Sequence, residues 1–219
     1  MKNKIESMFF DMDGTLVDYP NEPFHSSWDA LLGALPGNLK EQWIKLRDFY
    51  YPRKELCEEW YKKQVALLKG IRLSDMNRYL FPVPYSLGVR EFFSSRNGYV
   101  TGIISAGVGL VAERVAKELG LYFVISNPIE VMEGIFTGRG ELKSHLWRKD
   151  VDVLRIAKEN NLSLQKMLYV GDNENDNSVF DLVGVSVAFC PRKKTTEERA
   201  DFVIRDFREL NDILEKIEK

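Results

Sequence analysis

The sequence predicts an α/β fold, a doubly wound parallel sheet carrying an inserted helical cap. Three observations predict it. Short apolar runs alternate with amphipathic stretches of helical spacing across the second half of the chain, the pattern of repeated strand and helix units. Three of the apolar runs end abruptly in polar residues, at the carboxyl ends of strands where an open parallel sheet binds ligands. Between the first and second of these runs lies a long region of helical spacing with no strand-like alternation. The core is therefore expected in residues 1–17 and 86–219, and the cap in residues 18–85.

The first strand is the run Ile5 to Phe10, broken only by Glu6 and Ser7. In the insertion, helices are expected over Ser26–Leu35, Leu39–Tyr50, Lys54–Leu68 and Asp75–Leu80. Ser26 is the N-cap, Pro36-Gly37 stops the first helix and Gly70 stops the third. The prolines of Phe81-Pro82-Val83-Pro84 interrupt any helix and return the chain to the core. The insertion holds Trp28, Trp43 and Trp60, three of the four tryptophans, with Phe24, Phe49, Tyr50, Tyr51 and Tyr61. At helical spacing such aromatics form first of all the inside of a small bundle, and a sharper reading has a few of them lining the site to read a leaving group. Next come a helix Leu87–Arg96 closed by Asn97-Gly98, a strand Tyr99–Ile104 ending at Ser105-Ala106-Gly107, a helix Val108–Leu119 stopped by Gly120, and a strand Tyr122–Ile125. A hairpin over Ile129–Leu142 precedes a helix Lys149–Glu159, a strand Met167–Gly171, a helix Glu174–Leu182 and a strand Val185–Phe189. A short strand Asp201–Ile204 and a terminal helix Phe207–Ile217 complete the chain.

Composition narrows the function classes. The 219 residues carry a net charge of -2 with no long basic stretch, which disfavours nucleic acid or an anionic membrane as partner. No apolar run spans a bilayer and Met1-Lys2-Asn3-Lys4 opens no signal-peptide pattern, so a cytoplasmic protein is expected. Cys57 and Cys190, with His25 and His145, make neither a disulfide framework nor a zinc site. Oligomeric state is not encoded in any of these features.

The chemistry begins at Asp11-Met12-Asp13-Gly14-Thr15. Side chains alternate along extended chain, so Asp11 and Asp13 can share one side of it. Two carboxylates in one site repel unless a cation or proton lies between them, and an all-oxygen site suits a hard divalent ion, Mg2+ above all. A calcium-binding loop would need a glutamate about six residues past the glycine, where Pro20 stands. At Ser105-Ala106-Gly107 a hydroxyl and free N–H groups before a helix make an anion site, or the serine is an ordinary N-cap. At Gly171-Asp172-Asn173-Glu174-Asn175-Asp176 a strand runs again into acids, with Asp176 placed to face the same way as Asp172. An acidic helix start explains Asp176 but not an acid-rich loop directly after the apolar Met167 to Val170. An anion held at Ser105 beside such carboxylates needs a further positive charge, from Lys143 or Lys149.

In this order the motifs resemble those of the haloacid dehalogenase-like hydrolases, in the phosphoserine-phosphatase-like branch. The resemblance covers nearly the whole chain and includes Val65-Ala66-Leu67-Leu68-Lys69, Glu133-Gly134-Ile135-Phe136-Thr137-Gly138 and Val187-Ala188-Phe189-Cys190. It implies a Rossmann-like core and an Mg2+-dependent phosphatase for a small phosphorylated metabolite. Asp11 is then the nucleophile that forms an aspartyl-phosphate, and Asp13 the acid and base. Asp11, Asp13 through its carbonyl, and Asp172 hold the metal, supported by Asp176. Thr15, Ser105, Ala106, Gly107 and Lys149 bind phosphate, Lys149 because it opens the helix leading into the fourth motif. Where the branch carries a glutamate and an arginine for the amino acid, this chain has Pro20 and Gln64, with Glu22 and Arg53 as nearby substitutes. A sugar phosphate, nucleotide or cofactor is the alternative substrate, and a phosphate- or metal-binding regulatory module the non-enzymatic alternative. A receiver-type signalling domain lacks both the insertion and the Asp-x-Asp-Gly-Thr pattern.

Overall fold

The computed structural model describes residues 4–21, 24–95 and 98–218. Glu22, Arg96 and Asn97, which entered the sequence expectations, lie outside the described residues. Strand β1 is Ser7–Phe10, and the insertion follows with α1 (Ser27–Ala30), α2 (Gly37–Tyr50), α3 (Cys57–Ala66) and α4 (Leu73–Leu80). The core resumes with α5 (Val89–Ser95), β2 (Val100–Val108), α6 (Gly109–Leu119) and β3 (Phe123–Asn127). A hairpin of β4 (Ile129–Met132) and β5 (Ile135–Gly140) precedes α7 (Lys149–Glu159), β6 (Met167–Gly171) and α8 (Asn177–Phe180). Then come β7 (Val185–Phe189), α9 (Lys194–Glu197), β8 (Phe202–Ile204) and α10 (Leu210–Glu218).

The main sheet has the order β3-β2-β1-β6-β7-β8, with every neighbouring pair parallel. Helices cover both faces, as strands buried along their whole length require. Alternation along β1 shows the layering: Met8 and Phe10 pack with Phe92, Val111, Phe207 and Leu214, while Phe9 packs on the other face with Val153, Ile156, Val179 and Phe180. β1 and β6 sit centrally and are buried along their whole length. The chain leaves and re-enters the core side by side, the Asp18 N–H donating to the Pro84 carbonyl and the Ser86 N–H to that of Leu16. The apolar interior continues from the sheet into the insertion through Leu31, Trp43, Tyr61, Val65 and Met76.

Three expectations are corrected. Strand β2 runs through Ser105-Ala106-Gly107 to Val108, because its pairing with β3 breaks after Ile104 and resumes at Val108 with Asn127. The helix beyond Asp172 is shorter than predicted, since residues 172–176 are committed to a loop built around the Asp176 carboxylate. The first helix of the insertion is α-helical for one turn, with Ser26 accepting from the Asp29 N–H, and continues as a 3-10 turn to Ala34, so Pro36 caps α2 rather than stopping α1.

Trp43 is fully buried beside Trp28, at the heart of the insertion. Trp43→Ala is expected to cost about 3–5 kcal/mol of stability through lost burial and a cavity, read as a lower urea midpoint.

Candidate active site

Asp11 is carried one residue past β1, where its N–H still donates to the Val170 carbonyl and so holds the ladder to β6. The loop then closes on itself: the Thr15 and Val17 N–H groups donate to the Met12 carbonyl and the Gly14 N–H to that of Val17. Gly14 has φ +83°, and a Cβ there would lie 2.5 Å from Asp172 Oδ2, so only glycine allows both the turn and the carboxylate's approach. Gly107 is constrained by close approach alone, a Cβ falling 2.6 Å from Asp13 Oδ2. The first and second motifs are thus in backbone-limited contact.

Lys149 opens α7 and is wholly buried, its Nζ 2.8 Å from Asp11 Oδ1 and 2.8 Å from Asp176 Oδ1. Asp176 also accepts from the Tyr169 hydroxyl at 2.9 Å and from the Asp172 and Asn173 N–H groups at 3.2 Å. Its oxygens are thereby spent on Lys149 and on shaping the loop. Oxygens of Asp11, Asp172 and Asp176 lie within 4.8 Å of one another, a buried, all-oxygen cluster compatible with a bound metal ion. With Asp13, four carboxylates face two cations among the described residues, Lys149 and Arg192, the latter 2.8 Å from Asp172 Oδ2. The formal deficit equals the charge of one divalent ion.

Electrostatics express the same shortfall. Burial, and then the charge of Asp176, push the Asp11 carboxyl up against the pull of Lys149. Burial and the charges of Asp11 and Asp176 push Asp172 well above the carboxylate range. Asp13 is pushed up to about 7, chiefly by burial, with hydrogen bonds from Ser27 opposing. Burial alone would lower the Lys149 ammonium, but its two carboxylate partners outweigh it and raise it.

A cavity of about 130 Å³ opens above this cluster. Asp11, Asp13, Ser105, Ala106, Gly107, Lys149 and Asp172 all line it. Thr15 does not: it is fully buried, and its hydroxyl is directed at Asp172 Oδ1 at 3.5 Å. Ser105 is neither an N-cap nor at a helix start, since its Oγ accepts from the Gly107 N–H within β2. Lys143 is exposed and pairs with Glu141, as expected of the solvated alternative.

The insertion supplies the far wall. Phe24, Trp28, Tyr51, Trp60 and Tyr61 line the cavity, whereas Trp43 and Tyr50 are interior and Phe49 is exposed, so the aromatics divide between the cavity wall, the interior and the surface. Gln64 lines it as a buried neutral side chain. Pro20 is exposed, and Arg53 instead lies over the Phe49 ring and donates to the Phe49 carbonyl. Two other charged residues, Arg47 and buried Asp29, paired at 3.3 Å, both line the cavity. Asn127 was also hidden. Its Oδ1 accepts from the Lys143 and Ser144 N–H groups and its Nδ2 donates to the Ala106 and Ser144 carbonyls, fastening the second motif to the segment before Lys149. Asn173, Asn175 and Arg192 complete the rim. Only the polar run around Asp172 offered a sequence signal for any of these.

A family model described as haloacid dehalogenase-like hydrolase matches residues 8–181. The chain is 29% identical over 216 residues to phosphoserine phosphatase of Methanocaldococcus jannaschii, covering 96% of this chain and 98% of the relative. A solved phospho-aspartyl intermediate analogue of phosphoserine phosphatase superposes with a TM-score of 0.75 at 28% identity, covering 96% of this chain and 99% of the other. A substrate-bound phosphoserine phosphatase complex gives 0.76 at 27% identity, covering 96% and 98%. With its sheet, motif order and acid cluster, the chain belongs to the haloacid dehalogenase-like hydrolases. Within them it falls in the phosphoserine-phosphatase-like branch and is a phosphatase, a phosphomonoester hydrolase. Among the described residues no helix is long and apolar enough to cross a membrane.

A carboxyl held above its ordinary value binds its proton more tightly folded than unfolded, so stability is lost as pH rises through the folded value. For Asp13 the loss runs from the ordinary value of 3.8 up to about 7 and levels off above it. The EDTA-treated protein is therefore expected to melt at a lower temperature at pH 8 than at pH 6. Saturating Mg2+, which favours ionised carboxylates, should narrow the difference in scanning calorimetry.

Proposed function

We propose that the chain hydrolyses a small phosphorylated metabolite in the cytoplasm with Mg2+, through an aspartyl-phosphate on Asp11. The observation that supports this best is the convergence of Asp11, Asp13, Ser105, Lys149 and Asp172 on one cavity at the carboxyl end of the sheet. Asp11, the Asp13 backbone carbonyl and Asp172 would hold the ion, with Asp176 fixing Lys149 and the Asp172 loop behind them. Bound there, Mg2+ supplies positive charge to the phosphoryl oxygens. Ser105, the backbone of Ala106 and Gly107, and Lys149 orient the phosphate and share its charge.

A carboxylate oxygen of Asp11 attacks phosphorus while the bond to the alcohol oxygen breaks, and Asp13 gives that oxygen its proton. Water then attacks the phosphorus of the aspartyl-phosphate, Asp13 takes a proton from it, and Asp11 is freed. Residues 18–85 act as a cap domain over a core of residues 1–17 and 86–219, and their aromatic side chains exclude water and contact the departing alcohol.

That alcohol meets aromatic walls and the Asp29–Arg47 pair. Phosphoserine is favoured by the named relatives and by this pair, which presents one acid and one base that an amino acid could engage. Sugar phosphates, nucleotides and phosphorylated cofactors are the second reading, favoured by the neutral Gln64 and the five aromatic side chains that line the cavity.

Phosphate release from a panel of these esters and an aryl phosphate, with and without Mg2+, tests the proposal. Asp11→Asn is expected to abolish release, and Asp13→Asn to lower kcat by about 10²–10⁴-fold. Mg2+ binding without release from any ester would instead favour a regulatory module. A preference for phosphoserine that is lost in Arg47→Met would assign the ion pair to the amino acid.

A further inference from the structure

Asp13 is held by the insertion rather than by its own loop. Ser27, the first residue of α1, is fully buried, and its N–H donates to Asp13 Oδ1 at 2.8 Å. Its hydroxyl donates to Asp13 Oδ2 at 2.7 Å and accepts from the Val108 N–H at 3.0 Å. One residue thus engages both carboxylate oxygens and anchors itself to the end of β2, next to the Ser105–Gly107 stretch. The neighbouring Trp28 Nε1 donates to the Ala106 carbonyl at 2.8 Å, which pins the same turn of α1 to the same stretch. A carboxylate gripped at both oxygens cannot rotate about its Cβ–Cγ bond without losing a bond, so its orientation toward the cavity is set by where α1 docks.

We infer that Ser27 is a positioning residue that orients Asp13 for proton transfer to the departing oxygen, so that docking of the insertion assembles the acid. The inference rests on the roles proposed above for Asp11 and Asp13. As the P–O bond to the alcohol breaks and the bond to Asp11 forms, the Asp13 proton moves to the alkoxide. Oδ1 keeps the Ser27 N–H and Oδ2 keeps the hydroxyl, so the carboxylate left behind is already solvated by the protein. Ser27→Ala removes the hydroxyl from Oδ2 and from Val108 and leaves the N–H in place.

The test uses leaving groups of different need. An alkyl phosphate must have its oxygen protonated as it leaves, whereas p-nitrophenolate departs without help. In the Mg2+-loaded chain, Ser27→Ala is expected to lower kcat/KM for the best alkyl phosphate by about 10–10²-fold and for p-nitrophenyl phosphate by at most about threefold. In an Asp13→Asn background the same substitution should change the alkyl value by less than about twofold, because the group it positions is gone. Equal losses on both esters, or a loss that multiplies with Asp13→Asn, would show a merely structural serine and overturn the inference. A thermal melt of each variant separates such losses from unfolding, and a Ser27→Thr variant that retains the hydroxyl should recover most of the alkyl rate. Hydrolysis by the unmutated chain that does not depend on Asp11 would overturn the proposed catalytic roles, and this one with them.

Discussion

Four carboxylates gathered around one buried ammonium group set the conditions for the rest of this structure. Taking such charges out of water is expensive, and only close pairing makes it tolerable. Lys149 meets two of them at 2.8 Å from the first turn of α7, which fixes how that helix lies against β1 and β6. Asp176 answers with its remaining capacity, accepting from Tyr169 and from two N–H groups of its own loop. The pair is therefore both an electrostatic necessity and the brace that shapes the Asp172 loop. What pairing leaves unbalanced is a region of negative charge open to the cavity, and a divalent ion and a phosphate are the partners that such a region and its flanking cations suit.

The sheet and the insertion divide the work. The parallel core brings the ends of β1, β2 and β6 together at one edge, and their loops approach so closely that Gly14 and Gly107 leave no room for a side chain. The insertion adds what the core lacks: apolar walls, an ion pair of its own, and the hydrogen bonds that hold Asp13. Contacts from Tyr61 to the Pro128 carbonyl and from Tyr51 to the Trp147 ring tie the two parts together on the far side of the cavity. A ligand between them is enclosed by surfaces whose relative placement is set by several separate bonds. Buried polar groups that converge in this way are positioned before any substrate arrives, which is what electrostatic stabilisation of a phosphoryl group requires.

Asp11, Asp13 and Asp172 were legible because they follow apolar runs, and a strand that ends in charge has few ordinary reasons to do so; Lys149 was separated from Lys143 only through the resemblance, as the residue that opens the helix before the fourth motif. Lys149–Glu159, Met167–Gly171 and Val185–Phe189 were legible to the residue, since their periods and stops agree. Ser105 was found for the right surroundings and the wrong local reason, because a break in ladder pairing inside β2 leaves no mark on side-chain alternation. Ser27, Asp29, Arg47 and Asn127 were illegible. A serine beside an N-cap serine, an acid in a first turn and an arginine on an amphipathic helix are what any surface helix carries.

The amino-acid sequence by itself determined the order of strands and helices, the insertion, and the residue types able to carry phosphoryl chemistry, because periodicity and motif spacing are properties of neighbours along the chain. The tertiary structure decided which side chains meet. It paired Arg47 with Asp29, turned Thr15 away from the cavity, spent Asp176 on Lys149, and brought Ser27 onto Asp13. Those outcomes depend on distances across the fold between segments far apart in sequence, set by helix docking and close packing, to which local pattern is blind.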